Sequence, residues 1–189
     1  MKFDEIIKER RSVRSFKSKK VDFGDLLAAI DSAIQGPFAG NLNNLKFLII
    51  ENEKTIKEIS KLASQTWINE SPALIVVCSD ETHLINQYME RGKDYSRQQA
   101  GAVIETIMLK LTELGLGSCW VGAFKYEIMK QILKIPDHIH IEAVIPVGYE
   151  KGKAKKARKQ ELETVLRWEN WNVYKRPTFS KEAPIYKAE

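Results

Sequence analysis

The chain has 189 residues, 43% of them hydrophobic, which is enough for one domain with a core of its own and too few for two domains. Thirty Lys and Arg residues against 25 Asp and Glu give a formal charge of +5, and the basic residues concentrate between Lys8 and Lys20 and between Lys151 and Lys159. The longest apolar runs are far shorter than the roughly 20 residues that cross a bilayer, and the N-terminus has no apolar signal region. We therefore expect a cytoplasmic protein, with Cys78 and Cys119 as reduced, buried thiols.

The first elements along the chain are two helices. Phe3, Ile6 and Ile7 repeat at helical spacing, which predicts a short helix with the basic run directly after its C-terminus. Asp22 is a good N-cap for a second helix, which Gly36 and the following proline end. The segment from Phe38 to Leu45 is then expected to be a loop.

Strands and helices alternate through the middle of the chain. The sequence predicts a strand over 46–51, an amphipathic helix through Ile56, Ile59, Leu62 and Ala63, and a strand over 73–78 that is apolar on both faces and so lies inside a covered sheet. The longest helix is predicted from about Ser96 to Leu114. Its large apolar surface indicates a central helix that could also pack against a partner chain.

The C-terminal third begins at Gly115, which ends the long helix. We predict a strand over 117–122, a short helix over 125–134, a strand over 139–148 and a polar basic connection over 151–159. A last helix is predicted to hold Leu162, Val165, Leu166 and Trp168, ahead of an unpatterned tail from Tyr174 to Glu189 that contains Phe179 and Tyr186. About four strands and a high helical share favour an α+β sandwich with a mixed sheet, and a doubly wound fold is the second choice.

Most familiar catalytic motifs are absent from the sequence. Gly115 and Gly117 leave a helix and open a strand, the reverse of a dinucleotide-binding glycine motif, and Trp120 stands where its third glycine would be. His138 and His140 share one face of a strand, but no cysteine or carboxylate surrounds them at metal-ligand spacing, so we predict no metal site. Nothing indicates covalent hydrolase chemistry.

The basic run is the strongest chemical feature. Alternation in an extended segment puts Arg10, Ser12 and Arg14 on one side, and the planar guanidinium is suited to phosphate. A helix C-terminus that attracts cations explains Arg10 and Arg11 almost as well. Nucleic-acid binding through both basic clusters is a further alternative, but the sequence has neither aromatic residues interleaved with the basic ones nor a recognition-helix pattern.

The order of several segments resembles the FMN-dependent nitroreductase family. The matching segments are Arg-Arg-Ser-Val-Arg-Ser-Phe at 10–16, the loop after Gly36-Pro37, Gly-Leu-Gly-Ser-Cys-Trp-Val-Gly-Ala-Phe at 115–124, Ile-Pro-Val-Gly-Tyr at 145–149, and Arg158-Lys159. The resemblance covers residues 3 to about 171. It implies a nitroreductase-like three-layer sandwich with a mixed, mainly antiparallel sheet flanked by helices, in one FMN-binding domain over 1–171. Residues 172–189 would be an extension that could wrap the partner subunit.

The resemblance also implies a homodimer with FMN at the subunit interface, the long central helix forming much of that interface. Arg10, Arg11 and Ser12 resemble the contacts of the family to the phosphate and ribityl groups, joined by Arg158 and Lys156, and Arg14 would lie near the pyrimidine end of the flavin. The expected contacts to the ring come from two segments and a turn: Pro37, Ala39, Gly40, Asn41 and Asn43; Gln65; and Val121, Gly122 and Ala123.

The chain departs from the family pattern at three places. Asn43-Asn44-Leu45 replaces the more usual Gln-Pro-Trp, Phe38 occupies a place where a small hydroxyl residue is common, and the region Asp80 to Arg97, which often supplies the lid over the flavin, is short.

The implied activity is a ping-pong oxidoreductase that takes hydride from NADH or NADPH and reduces a nitroaromatic, a quinone or a similar small acceptor, with no protein acid or base assigned. The alternative is a flavin-binding protein with a specialised redox partner or without NAD(P)H turnover.

Overall fold

The computed structural model describes residues 1–177, and its helices and strands follow the predicted order, except that a helix over Thr82–Tyr88 was not predicted. The elements are α1 (Phe3–Glu9), α2 (Phe23–Ala33), β1 (Leu45–Ile50), α3 (Glu53–Leu62), β2 (Ala73–Asp80), α4 (Thr82–Tyr88), α5 (Arg91–Glu113), β3 (Gly117–Ser118), α6 (Tyr126–Leu133), β4 (Ile139–Gly148) and α7 (Leu162–Val165). Short 3-10 turns lie at Ala39–Asn41, inside the predicted loop, and at Thr66–Glu70.

The four strands form one sheet in the order β1-β2-β4-β3, and each neighbouring pair is antiparallel. An isolated parallel bridge joins Ser12 to Ser118 at the β3 edge. Strand β2 lies inside the sheet, as its apolar sequence predicted, and all but the last of its residues are buried.

Alternate residues of β2 face two different cores. Ala73, Ile75 and Val77 pack in one core with residues of α2 and α5, such as Leu26 and Ile104. Leu74, Val76 and Cys78 face the other core, which takes in residues of α3 and α6. Helices therefore cover both faces of the sheet, and the predicted α+β three-layer sandwich is confirmed.

Two helices show how local sequence sets their ends. The Asp22 side chain accepts a hydrogen bond from Gly24 N at 2.7 Å, which confirms Asp22 as the N-cap of α2. Helix α5 begins five residues before the predicted Ser96, at Arg91. This first turn packs against α4 through Gly92, where an added Cβ would come within 2.3 Å of Leu84 O, so tight packing rather than an apolar stripe holds it.

The strand predicted over 117–122 was wrong in extent. Only Gly117 and Ser118 form a ladder with β4, and contact resumes at an isolated bridge between Val121 and Val144. Cys119 N donates to Pro146 O at 3.3 Å, but Pro146 has no N–H to donate back. The ladder is therefore interrupted opposite the proline.

The last predicted helix was also too long. Helix α7 holds Leu162 and Val165, whereas Leu166 is extended and Trp168 lies beyond the helix. No side-chain hydrogen bond caps its first turn, and the Arg167 guanidinium lies 4.1 Å from the ring centroid of Tyr174, so contacts outside the helix compete with its continuation.

The described chain divides into a compact unit over Met1–Lys156 and a second unit that begins at Ala157. The expected tail extension over 172–189 lies largely outside the described residues, as do Phe179 and Tyr186. Within residues 1–177, none of the helices combines the length and the apolar character needed to span a bilayer.

Candidate functional site

The basic run Arg10–Arg14 forms an extended segment along the β3 edge of the sheet. Helix α1 ends at Glu9, and Arg10 takes up non-helical dihedral angles. Val13 N then donates to Ser118 O at 2.9 Å, and the Val13 side chain lies so close to Gly117 that an added Cβ there would come within 2.8 Å of Val13 Cγ2. The backbone hydrogen bond and the packing of Val13 thus fix the segment in place. The polar side chains of the segment lie on either side of its backbone.

Arg10, Ser12 and Arg14 lie together around the thiol of Cys119, as the alternation predicted. Burial raises the pKa of the Cys119 thiol, while the nearby charges of Arg14 and Arg10 and the Ser12 hydroxyl act in the opposite direction. The Arg10 guanidinium also meets Glu105 of α5, with Nε 3.1 Å from Oε1. These three residues present two cations and a hydroxyl on one side of the segment.

Arg11 points away from that group and is engaged in ion pairs. Its guanidinium binds the Glu150 carboxylate through two nitrogens and Glu9 through a third contact of 3.0 Å. The hydrogen bond with Glu150 raises the pKa of Arg11. Arg11 therefore ties the basic run to the end of β4, and its expected contact with phosphate stays a prediction.

The first part of the basic connection, residues 151–156, folds back beside the run. A cavity of about 290 Å³ is lined by Ser12, Val13, Arg14, Ser15, Glu150, Lys151, Lys153, Ala154 and Lys155. Lys156 Nζ donates to Lys8 O at 2.6 Å and to Ile7 O at 3.3 Å, at the end of α1. It helps to line a second cavity of about 420 Å³, on the Arg11 side, with Lys8, Glu9, Arg11, Lys153, Ala154 and Lys155.

The loop from Pro37 to Asn43 is anchored by buried polar groups of α5. Gln99 Oε1 accepts from Ala39 N at 2.7 Å, and Gln99 Nε2 donates to Asn44 Oδ1 at 2.9 Å. Gly40 and Asn41 both have positive φ, 58° and 57°, and both are exposed. Asn43 Oδ1 accepts from Leu45 N at 3.0 Å, so this side chain supports its own backbone.

The segment that contains Gln65 lies next to the basic run. Gln65 is half-buried and precedes the Thr66–Glu70 turn, in which the Trp67 ring centroid lies 6.0 Å from Arg14 Cζ. The carboxylate of Glu70 accepts from Ser15 Oγ at 2.9 Å and from Phe16 N at 3.2 Å. Gln65 and Arg14 are thereby brought to the same region of the surface.

The turn at Val121–Ala123 is held from both ends. Val121 N donates to Val144 O at 2.9 Å, and the Tyr126 hydroxyl accepts from Ile141 N at 3.2 Å. Val121 is buried, whereas Gly122 and Ala123 are exposed. An added Cβ at Gly122 would meet no atom within 4 Å, so the backbone there is open to a flat ligand.

A polar cluster supports the start of β4 behind this turn. His140 Nδ1 lies 3.2 Å from the Tyr126 hydroxyl and His140 Nε2 lies 3.4 Å from Glu81. Arg97 bridges the buried carboxylates of Glu81 and Glu142. Within residues 1–177 no group of three or more potential ligands could hold a metal ion.

Arg158 belongs to the second unit, where it is exposed and pairs with Glu161 at 3.2 Å.

The residues that position the site were not predicted from the sequence. Ser96 and Gln99 stand at buried positions on the apolar face of α5, and polar residues on that face were the signal that could have revealed them. Glu150 carried no such signal, because its partner Arg11 is 139 residues away in the sequence. Burial acts to raise the pKa of the Glu150 carboxyl, but hydrogen bonds from Arg11 and Ala154 N lower it overall.

The model of the nitroreductase family matches residues 7–149, which include the basic run, the anchored loop and the exposed turn. The chain belongs to the nitroreductase family. A nitroreductase family protein from Clostridium difficile has a similar solved structure, with a TM-score of 0.80, 28% identity and coverage of 90% of this chain and 100% of that one.

Two curated relatives show that the family match does not define one acceptor. An iodotyrosine deiodinase from Thermotoga neapolitana is 25% identical over 165 residues, covering 77% of this chain and 87% of its own length. An FMN reductase (NADPH) from Bacillus subtilis is 21% identical over 184 residues, covering 89% of this chain and 74% of its own.

Proposed function

We propose that this nitroreductase-family protein is an FMN-dependent oxidoreductase that uses NADH or NADPH to reduce a nitroaromatic, a quinone or a similar small acceptor. The observation that carries the proposal is the grouping of Arg10, Ser12 and Arg14, which lies within the residues matched by the family model. Ser12 and Arg14 also line the cavity that the lysines of the basic connection complete. The names of two similar proteins, the FMN reductase and an FMN-dependent nitroreductase of Clostridium difficile, support the choice of cofactor.

The basic run and the residues of this cavity fit a flavin phosphate. Arg10 and Ser12 would bind its oxygens, because guanidinium and hydroxyl donors satisfy a phosphate directly. Lys153 and Lys155 line the same side of the run and would add positive charge. Lys156 lies at the end of α1 and lines the neighbouring cavity on the Arg11 side. Arg158 is assigned to the phosphate from the family pattern alone.

The ring system would lie between the exposed loop and the exposed turn. Arg14 would meet the pyrimidine end, where a cation stabilises the charge of a reduced flavin. Polar contacts would come from Asn41 and Gln65, with Asn43 as a backbone support for the loop. Gly122 and Ala123 are small and exposed, which allows a planar ring to approach their backbone.

When bound, FMN supplies the two-electron chemistry, with reductant and acceptor using one pocket in turn. The residues of the chain bind and orient it, and we assign none of them as a proton donor or acceptor.

We also propose that the protein is a homodimer with the flavin at the interface. Apolar side chains on the outer faces of α1 and α2 support this, since Phe3, Phe23 and Leu27 are 67%, 51% and 47% exposed. The apolar face of α5 is already buried by α2 and the sheet, so α1 and α2 offer the larger apolar surface for a partner. The cytoplasmic location stays a prediction.

The experiment is flavin reconstitution followed by anaerobic reduction. The protein should take up FMN to one per chain, and the flavin absorption should bleach on addition of NADH or NADPH and return when a quinone is added. Protein that takes up no FMN would contradict the proposal. Bound FMN that neither nicotinamide reduces would favour the alternative, a flavin-binding protein with a specialised redox partner, and binding to DNA without FMN uptake would favour a nucleic-acid function.

A further inference from the structure

Two tyrosines from the corner between α4 and α5 form an aromatic pair at the surface. The ring centroids of Tyr88 and Tyr95 lie 5.1 Å apart, with an interplanar angle of 85°. Both rings are half-buried. The corner is rigid because Gly92 packs against the backbone of Leu84, which leaves no room for a side chain there.

The pair lies against the loop that the proposed function assigns to the flavin ring. The Tyr88 hydroxyl is so close to Gly40 that an added Cβ there would come within 2.7 Å of it. Gly40 and the next residue, Asn41, are both exposed. A molecule that stacks over a ring held by this loop therefore meets the tyrosines as its side wall.

A cation without a carboxylate partner lies on the same wall. The Arg91 guanidinium carbon is 5.5 Å from the Tyr95 ring centroid, and Arg91 takes part in no ion pair found within residues 1–177. Its neighbour Lys93 differs in this respect, since Lys93 Nζ pairs with Glu90 at 2.9 Å. Arg91 is also the first residue of α5, where the helix dipole adds positive potential.

We propose that Tyr88, Tyr95 and Arg91 form an acceptor subsite that selects aromatic molecules carrying a negative charge, such as an aromatic carboxylate. The tyrosine rings supply apolar and edge-to-face contact to an aromatic ring. The free guanidinium offers its paired donors to a carboxylate. This assignment rests on the proposed flavin function, because it is the flavin that would place the acceptor beside Gly40.

The test compares two acceptors that differ in one charge, 4-nitrobenzoate and 4-nitrobenzamide, with the FMN-loaded protein. The wild type should have the higher kcat/KM for 4-nitrobenzoate. Arg91→Gln should reduce the benzoate-to-benzamide ratio of kcat/KM about threefold to fivefold, the range of a partly exposed ion pair, and leave the benzamide value little changed. Lys93→Gln is the matched control and should leave the ratio unchanged.

Tyr95 is tested separately from the charge. Tyr95→Leu should raise KM for both acceptors, whereas Tyr95→Phe, which keeps the ring, should not. Any one of three results would overturn the subsite. The wild type could have equal kcat/KM values for the two acceptors, Arg91→Gln and Lys93→Gln could change the ratio by the same factor, or the protein could reduce neither compound. Reduction of the flavin by NADH or NADPH, measured without an acceptor, separates the two proposals. If the flavin is not reduced, the oxidoreductase function is contradicted. If the flavin is reduced but the acceptor step shows no selectivity, only the subsite is contradicted.

Discussion

At the scale of single residues, the Arg11–Glu150 pair is the contact that most directly positions the basic run. The two side chains are only 18% and 17% exposed, and Glu150 also accepts from Ala154 N, so one carboxylate joins Arg11 to the basic connection. Loss of this carboxylate leaves a largely buried guanidinium without its main partner. The pair therefore stabilises both walls of the candidate phosphate site.

We expect Glu150→Gln to lower the free energy of unfolding by about 2 kcal/mol at neutral pH. The folded-state pKa of Glu150 is lowered, so its contribution is fully present above the ordinary pKa of a glutamate and is lost as the pH falls through the lower folded pKa. Denaturant unfolding at several pH values measures this loss of unfolding free energy and its dependence on pH. Glu113→Gln, which removes an exposed partner of Lys110, is the control and should leave the free energy of unfolding nearly unchanged. Equal losses in the two variants would contradict a special role for Glu150.

Sequence reasoning succeeded for residues whose partners are local. Asp22 was predicted as an N-cap because its partner is two residues away, and the shared side of Arg10, Ser12 and Arg14 follows from backbone alternation. Glu150 could not be found in this way, because a pair across 139 residues depends on the fold.

At the scale of elements, the loop after α2 owes its shape to α5. Gln99 bonds Ala39 N, Leu42 O and Asn44 Oδ1, and Ser96 Oγ accepts from Asn44 Nδ2 at 2.8 Å. A loop with two consecutive positive φ values needs such support, since residues with a side chain seldom adopt that backbone conformation, although asparagine tolerates it better than most. We therefore expect the buried amide of Gln99 to contribute both to the stability of the fold and to flavin binding.

We expect Gln99→Leu to destabilise the fold by about 2 kcal/mol, because buried groups of the loop lose their partners. FMN affinity should fall in the same variant, as the loop is released. Gln98→Leu changes the exposed neighbour in the same way and should alter neither quantity. Thermal unfolding and flavin titration give the two readouts, and unchanged FMN affinity in a destabilised Gln99→Leu would remove the loop from the flavin site.

Elements with strong periodicity were predicted well, and those that depend on distant partners were not. Strand β4 matches its predicted bounds, and β2 lies inside the sheet as expected. The strand after Gly117 was overextended because its partner position is Pro146, which the local pattern does not reveal.

At the scale of the whole molecule, an α+β sandwich was predictable because apolar strands alternate with amphipathic helices, whereas its three-layer arrangement was implied by the family resemblance. The same pattern leaves apolar side chains on the outer faces of α1 and α2. Their exposure accounts for the proposed dimer, since a partner surface would remove this apolar area from water.

Leu27→Glu is expected to convert the dimer to a monomer, because the interface would then have to bury an unpaired carboxylate. Ile128→Glu is the matched control, since Ile128 is similarly exposed, at 44%, but lies on α6 in the opposite helical layer. Light scattering coupled to gel filtration distinguishes the two masses. A monomeric wild type, or monomers from both variants, would contradict the assignment of this face.

The central claim is that Arg10, Ser12 and Arg14 hold the flavin, and the most direct test is the FMN dissociation constant of Arg10→Ala against that of Lys20→Ala. Both variants remove one positive charge from the basic region between Lys8 and Lys20, but Lys20 is exposed and lies outside the group around Cys119. Loss of charge-assisted hydrogen bonds to phosphate should weaken FMN binding about tenfold to a hundredfold in Arg10→Ala, with little change in Lys20→Ala. Equal affinities in the two variants would reduce the run to general surface charge and contradict the account.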